Sequence, residues 1–167
     1  MVTISTQHRA PVFASHAEAV DCIADLERAA TLTDFRLIAY CLMPNHLHLL
    51  AQGEHEEANL ATFMQRFKQL SSYRHKKDTG EQLWERSYYD HVVRRDEDLR
   101  DIAAYIWQNP VKAGLAADAT RYPYSGPRQA LKAEWRGEVA QGSAADRAEA
   151  VSLQFAGHHA GSAAEKH

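Results

Sequence analysis

The chain has 167 residues, 45% hydrophobic and 25% charged, which fits one globular domain, with or without a tail, and excludes a disordered or fibrous polypeptide. Its formal net charge of −3 hides a gradient, since residues 1–59 carry three Lys/Arg against eight Asp/Glu and residues 60–128 carry twelve against nine. No apolar run approaches the ~20 residues of a membrane span, and the opening MVTISTQHR lacks a leader's basic and apolar regions.

In chain order, Val2 to Thr6 alternates apolar and hydroxyl residues and reads as a strand. Ala17 to Ala30 carries Ala19, Val20, Ile23, Ala24 and Leu26 at helical spacing. Phe35 to Cys41 reads as a second strand, broken by Met43, Pro44 and Asn45 because proline cannot donate to a ladder. His46 to Ala51 resumes as a third. Leu60, Phe63, Met64, Phe67 and Leu70 make Asn59 to Lys77 a long amphipathic helix. Trp84 to Val93 reads as a fourth, irregular strand. Asp96 to Gln108 is a helix with Leu99, Ile102, Ala103 and Ile106 on one stripe, and Pro110 predicts a break or kink at Asn109.

From Ala130 onward there are eleven alanines in 38 residues and little periodicity. The domain is therefore expected over 1–128, with an alanine-rich tail at 129–167 that reads as either a loose helix or a flexible segment. The order of elements predicts an α+β fold of the ferredoxin-like kind, an antiparallel sheet with helices on one face. Two cysteines, Cys22 and Cys41, form neither a disulfide framework nor a CxxC metal pair, so a cytoplasmic protein with reduced thiols is expected.

Three groups of residues can carry chemistry. His46 and His48 lie two apart on a strand and so share a face, a ready half-site for a metal. Taken alone, the pair is more often two hydrogen-bonded sheet histidines. Tyr105 and Asn109 lie four apart on the last helix and neighbour one another. Tyr105 falls roughly 110° from the centre of the apolar stripe, at the margin of the core. The Asn109 amide oxygen suits a hard divalent cation. The plainer alternative is a boundary tyrosine beside a capping amide. Residues 60–77 hold Arg66, Lys68, Arg74, Lys76 and Lys77 with no acid, interleaved with Phe67 and Tyr73. Cations with aromatic faces serve single-stranded nucleic acid binding, and a solvated surface helix is the equal alternative.

The strings YCLMPNHLHLL (Tyr40 to Leu50) and YIWQNPVKAGL (Tyr105 to Leu115) resemble the single-tyrosine HUH transposases, most closely the REP-associated tyrosine transposases. RYPYSG (Arg121 to Gly126) and LWERSYYDHVVRRDEDL resemble the corresponding family segments, and the resemblance covers about Val2 to Pro127. It implies that His46 and His48 are metal ligands, that Asn109 (with Gln108 a second amide beside it) supplies the third ligand, and that Tyr105 is the nucleophile on a C-terminal helix. It further implies Mg²⁺ or Mn²⁺, a single-stranded or hairpin DNA substrate, and a 5′-phosphotyrosine intermediate that is rejoined without ATP.

The expected function is thus a metal-dependent enzyme that cleaves and rejoins REP-type hairpin DNA, acting as a monomer or a homodimer. A non-catalytic DNA-binding regulator and a metal phosphoesterase are the competing readings. Arg66, Lys68, Tyr73, Arg74, Lys76, Arg94 and Lys112 are the expected DNA contacts.

Overall fold

Alternation along one strand sorts the core into two layers. In the computed structural model, which describes residues 1–93 and 98–130, His46–Gly53 forms a strand whose Leu47 and Leu49 enter one apolar cluster while Leu50 enters another. Successive side chains of a strand point to opposite faces, so His46 and His48 share the face of Leu50. The element order is β1 (Val2–Ser5), α1 (His16–Leu32), β2 (Phe35–Met43), β3 (His46–Gly53), α2 (Leu60–Thr79), β4 (Tyr89–Asp90), α3 (Leu99–Lys112) and β5 (Ser125–Gly126). The strands form one antiparallel sheet in the order β4-β1-β3-β2-β5. This is the expected α+β class.

The expectation of helices on one face holds for α1 and α2. Their buried residues, among them Leu26, Ala29, Phe63 and Phe67, pack with Ile4, Tyr40, Leu42, Leu47 and Leu49. The third helix differs. Ile102, Ala103, Ile106 and Trp107 of α3 pack against Ala39, Cys41, Met43 and Leu50 on the opposite face. The reason lies in β2, whose Ala39, Cys41 and Met43 are as apolar as Tyr40 and Leu42, so the sheet has two faces to bury.

Local signals explain the boundaries. Ser15 caps α1 by accepting from the Glu18 N–H, and Asn59 caps α2 by accepting from the Thr62 N–H. Gly80, at φ 78°, ends α2 in the left-handed conformation that glycine tolerates best. The expected fourth strand shrinks to Tyr89–Asp90, plus an isolated bridge from Trp84 to Thr6. Trp84 is buried instead, its ring tilted against Phe13 and Phe67 and its Nε1 donating to Ser71 Oγ at 2.8 Å. The last helix runs through Pro110 to Lys112 rather than ending at Gln108. Of the tail expected at 129–167, residues 131–167 lie outside the described residues.

Candidate metal and nucleophile site

The strand β3 holds its two histidines between neighbours on both sides, with Ser5 and Met43 opposite His46, and Thr3 and Cys41 opposite His48. Their Nε2 atoms face each other at 3.1 Å, and their rings stand edge to face with centroids 4.7 Å apart. Each outer nitrogen is anchored. His46 Nδ1 donates to Asn45 Oδ1 at 2.7 Å, and His48 Nδ1 is hydrogen-bonded to Thr3 Oγ1 at 3.1 Å. Such outer partners fix the ring and its tautomer.

The Thr3 hydroxyl can donate or accept. It therefore serves either tautomer of His48, one that gives an Nε2 proton to His46 or one that turns an Nε2 lone pair towards a cation. Burial, reinforced by the Arg9 charge, lowers the His46 pKa to about 4. Burial, reinforced by His46, lowers that of His48 to about 3. Both rings are therefore neutral near pH 7, the form a metal binds. Cys41 sits opposite His48, but burial pushes its thiol up to about 12 and keeps it protonated.

Tyr105 and Asn109 belong to α3, which packs on the face carrying the two histidines. Tyr105 is half-buried against that cluster, and the Lys112 Nζ lies 4.8 Å from its ring centroid. Asn109 has a second task. Pro110 has no N–H, which leaves the Ile106 carbonyl without its usual partner. Asn109 Nδ2 donates to that carbonyl at 3.1 Å and to the Tyr105 carbonyl at 2.9 Å. This explains why the helix survives its proline, and it commits the amide nitrogen to the helix's own backbone, while Oδ1 accepts no hydrogen bond among the described residues. Gln108, the other amide, has no such anchor among the described residues.

Two convergent, neutral imidazoles with anchored outer nitrogens are donors suited to a divalent cation, and Asn109 lies on the helix packed on the same face. Among the described residues there is no cluster of three His, Cys, Asp or Glu side chains suited to a metal, so any such ion would rely on the amide or on substrate and water oxygens. A cavity of about 530 Å³ opens elsewhere, lined by Phe35, Ile38, Leu50, Leu60 and Val92, and neither histidine nor Tyr105 lines it.

The expected DNA contacts divide. Arg66, Tyr73 and Lys76 are exposed on α2, with Tyr73 75% accessible. Arg74 pairs with Asp21 of α1 at 2.7 Å. Lys68 donates to the Glu85 and Arg86 carbonyls at 2.7 and 2.8 Å, so it already holds the segment after α2 in place. Arg94 lies outside the described residues. All of the α2 candidates stand on the layer opposite α3.

Sequence reading missed Thr3, Asn45 and Arg9. The first two carry no signal until strand register is known. Arg9 leaves the turn Gln7–Arg9, where His8 and Arg9 both adopt φ 54°. Successive non-glycine residues in this region cost of order 1–3 kcal/mol each and persist only where surrounding structure enforces them.

Comparison with known proteins agrees with this architecture. Residues 1–109 match the family model described as "Transposase IS200 like". The chain is 32% identical over 113 residues to a Haemophilus influenzae protein named "Putative REP-associated tyrosine transposase", covering 60% of this chain. It spans 63% of that relative's length. It is 25% identical over 121 residues to the REP-associated tyrosine transposase of Escherichia coli K12, covering 68% of this chain and 70% of that one. A solved structure of a REP-associated tyrosine transposase bound to a REP hairpin shares the fold, with TM-score 0.66, 19% identity and coverage of 86% of this chain and 87% of that one.

Proposed function

This chain belongs to the IS200-like transposase family, and from that premise we propose that it is a tyrosine transposase of the REP-associated type, which cuts and rejoins single-stranded hairpin DNA. The observation that carries this reading is the pair of facing Nε2 atoms, 3.1 Å apart, on the sheet face against which the tyrosine helix packs.

In the proposed reaction the Tyr105 phenol oxygen attacks the scissile phosphorus and gives up its proton. The bond from phosphorus to the 3′-oxygen breaks, and that oxygen takes a proton to become a free 3′-OH. The product is a 5′-phosphate ester of Tyr105. Attack by a 3′-OH on this ester reverses every step, which restores the phenol and joins the strands. No external energy source enters, because one phosphodiester replaces another.

His46, His48 and the Asn109 Oδ1 would hold Mg²⁺ or Mn²⁺, which would supply charge stabilisation at the phosphoryl oxygens. Asn45 and Thr3 keep both rings aimed inward. Lys112, over the Tyr105 ring, places a positive charge beside the nucleophile as negative charge develops on its oxygen. Arg66, Tyr73 and Lys76 offer an exposed cationic and aromatic stripe to the DNA backbone.

The test is a denaturing gel with Mn²⁺ and a labelled hairpin oligonucleotide from the flank of the protein's own gene. A DNA–protein adduct that resists SDS and vanishes in Tyr105→Phe supports the reading. Cleavage retained in Tyr105→Phe would make the protein a metal phosphoesterase, and binding with no cleavage would make it a regulator.

A further inference from the structure

The turn after β1 is built more rigidly than a surface connection needs. Thr6, fully buried, shares its one hydroxyl proton between the Ala10 carbonyl at 2.7 Å and the Asn45 carbonyl at 3.0 Å, and its N–H donates to the same Asn45 carbonyl at 2.9 Å. Gln7 N–H donates to the Leu83 carbonyl, and His8 N–H to Glu85 Oε1 at 3.0 Å. Arg9 N–H closes the turn on the Thr6 carbonyl at 3.0 Å. His8 and Arg9 are held in the left-handed region by these bonds.

The result is an exposed arginine launched from a backbone tied to Asn45, the residue that orients His46. Ser5, four residues before Arg9, pairs with His46 across the β1–β3 ladder, so the turn begins beside the histidine pair. Arg74 and Arg121 have carboxylate partners, whereas Arg9 has no ion pair among the described residues, even though Glu85 is bonded to the same turn. A backbone held in the left-handed region, an exposed guanidinium without an ion pair among the described residues and a neighbouring pair of candidate metal ligands suit an anionic occupant. A guanidinium fork matches the paired oxygens of a phosphodiester.

We propose that Arg9 is a substrate-binding residue whose guanidinium grips a backbone phosphate of the single-stranded DNA beside the His46 and His48 pair. This rests on the function proposed above and adds to it a contact on β1's turn, separate from the α2 stripe. It assigns the left-handed turn its purpose: the turn fixes the direction from which the strand enters the site.

The experiment uses the full chain and the labelled hairpin oligonucleotide in EDTA, with anisotropy read over a series of KCl concentrations, and Mn²⁺ titrated calorimetrically without DNA. Arg9→Gln should weaken DNA binding about tenfold and reduce the slope of log K against log salt by about 0.7, one phosphate on a single strand. Its Mn²⁺ affinity should stay level or rise, because a like charge has left. Arg9→Lys should keep the slope and lose part of the affinity. Arg9→Gly, which suits the left-handed backbone, should fold and show the same loss as Arg9→Gln. Wild-type affinity and slope in Arg9→Gln would overturn the inference alone. So would a joint fall in Mn²⁺ affinity and melting temperature in both Arg9→Gln and Arg9→Gly, which would mark a structural role. A wild-type protein that binds no oligonucleotide would overturn the proposed function and this inference with it.

Discussion

At the scale of single residues, the histidine pair depends on what stands behind it. Thr3→Val removes the hydroxyl bonded to His48 Nδ1 while keeping a similar shape. Mn²⁺ affinity, measured by calorimetry, should fall about 10–100-fold, and Thr3→Ser should restore most of it. Acid acts on the same pair. Both histidines have folded pKa values, about 4 and about 3, below the ordinary 6.5. The unfolded chain therefore binds protons first, and their contribution to stability is complete above pH 6.5 and is lost as pH falls towards 4 and 3. The melting temperature of the metal-free protein should be flat across this pair's range above pH 7 and decline below 6.5. The protecting shift given by Mn²⁺ should persist to about pH 4 and disappear below it, where protons compete for the nitrogens of the folded protein. The strings around His46, His48, Tyr105 and Asn109 were legible in the sequence because each is local. Thr3 is 45 positions from His48, and its role exists only through strand pairing.

At the scale of elements, α3 is stabilised against its own proline. Helices lose a hydrogen bond at an internal proline, and here the amide of the preceding residue supplies a substitute donor. Asn109→Ala should remove it and cost about 1 kcal/mol, read as a lower melting temperature. Asn109→Asp keeps an acceptor oxygen but lacks the donor, so it should lose the same stability and leave a carboxylate near the Ile106 and Tyr105 carbonyls. The double substitution Asn109→Ala with Pro110→Ala should recover the stability, because the backbone N–H returns, without recovering cleavage. Helix existence was readable from periodicity, but the end of α3 was not. The rule that proline ends helices competes here with a side chain that repairs the break. The fourth strand was overextended for a related reason, because Trp84 satisfies strand propensity and core packing equally and the core takes it.

At the scale of the whole molecule, the sheet separates two tasks. The order of strands and helices as far as α3 followed from the sequence, yet the two-residue β5 and the layer of α3 did not, since two residues carry no alternation and a 3.6-residue stripe shows that a face is buried and not which side of a sheet buries it. The consequence is that the exposed cations of α2 stand on one layer and Tyr105 on the other. Arg66→Gln with Lys76→Gln should therefore weaken oligonucleotide binding and lower its salt slope by up to about 1.4, two single-strand phosphates. At saturating DNA, the yield of tyrosine adduct should remain at the wild-type level. A fall in adduct yield at saturation would place α2 in the reaction itself.

The histidines ride on the middle strand of five, with β1 on one side and β2 on the other, while each edge strand is two residues long. Hydrogen exchange should sense that difference. The amides of β3 can reach solvent only when the sheet comes apart, whereas β4, β5 and the outer turns of α3 can open in smaller events. The histidine pair thus keeps its geometry through local openings at the ends of α3, and in the proposed reaction a strand attached to Tyr105 would be displaced and returned without β3 unfolding.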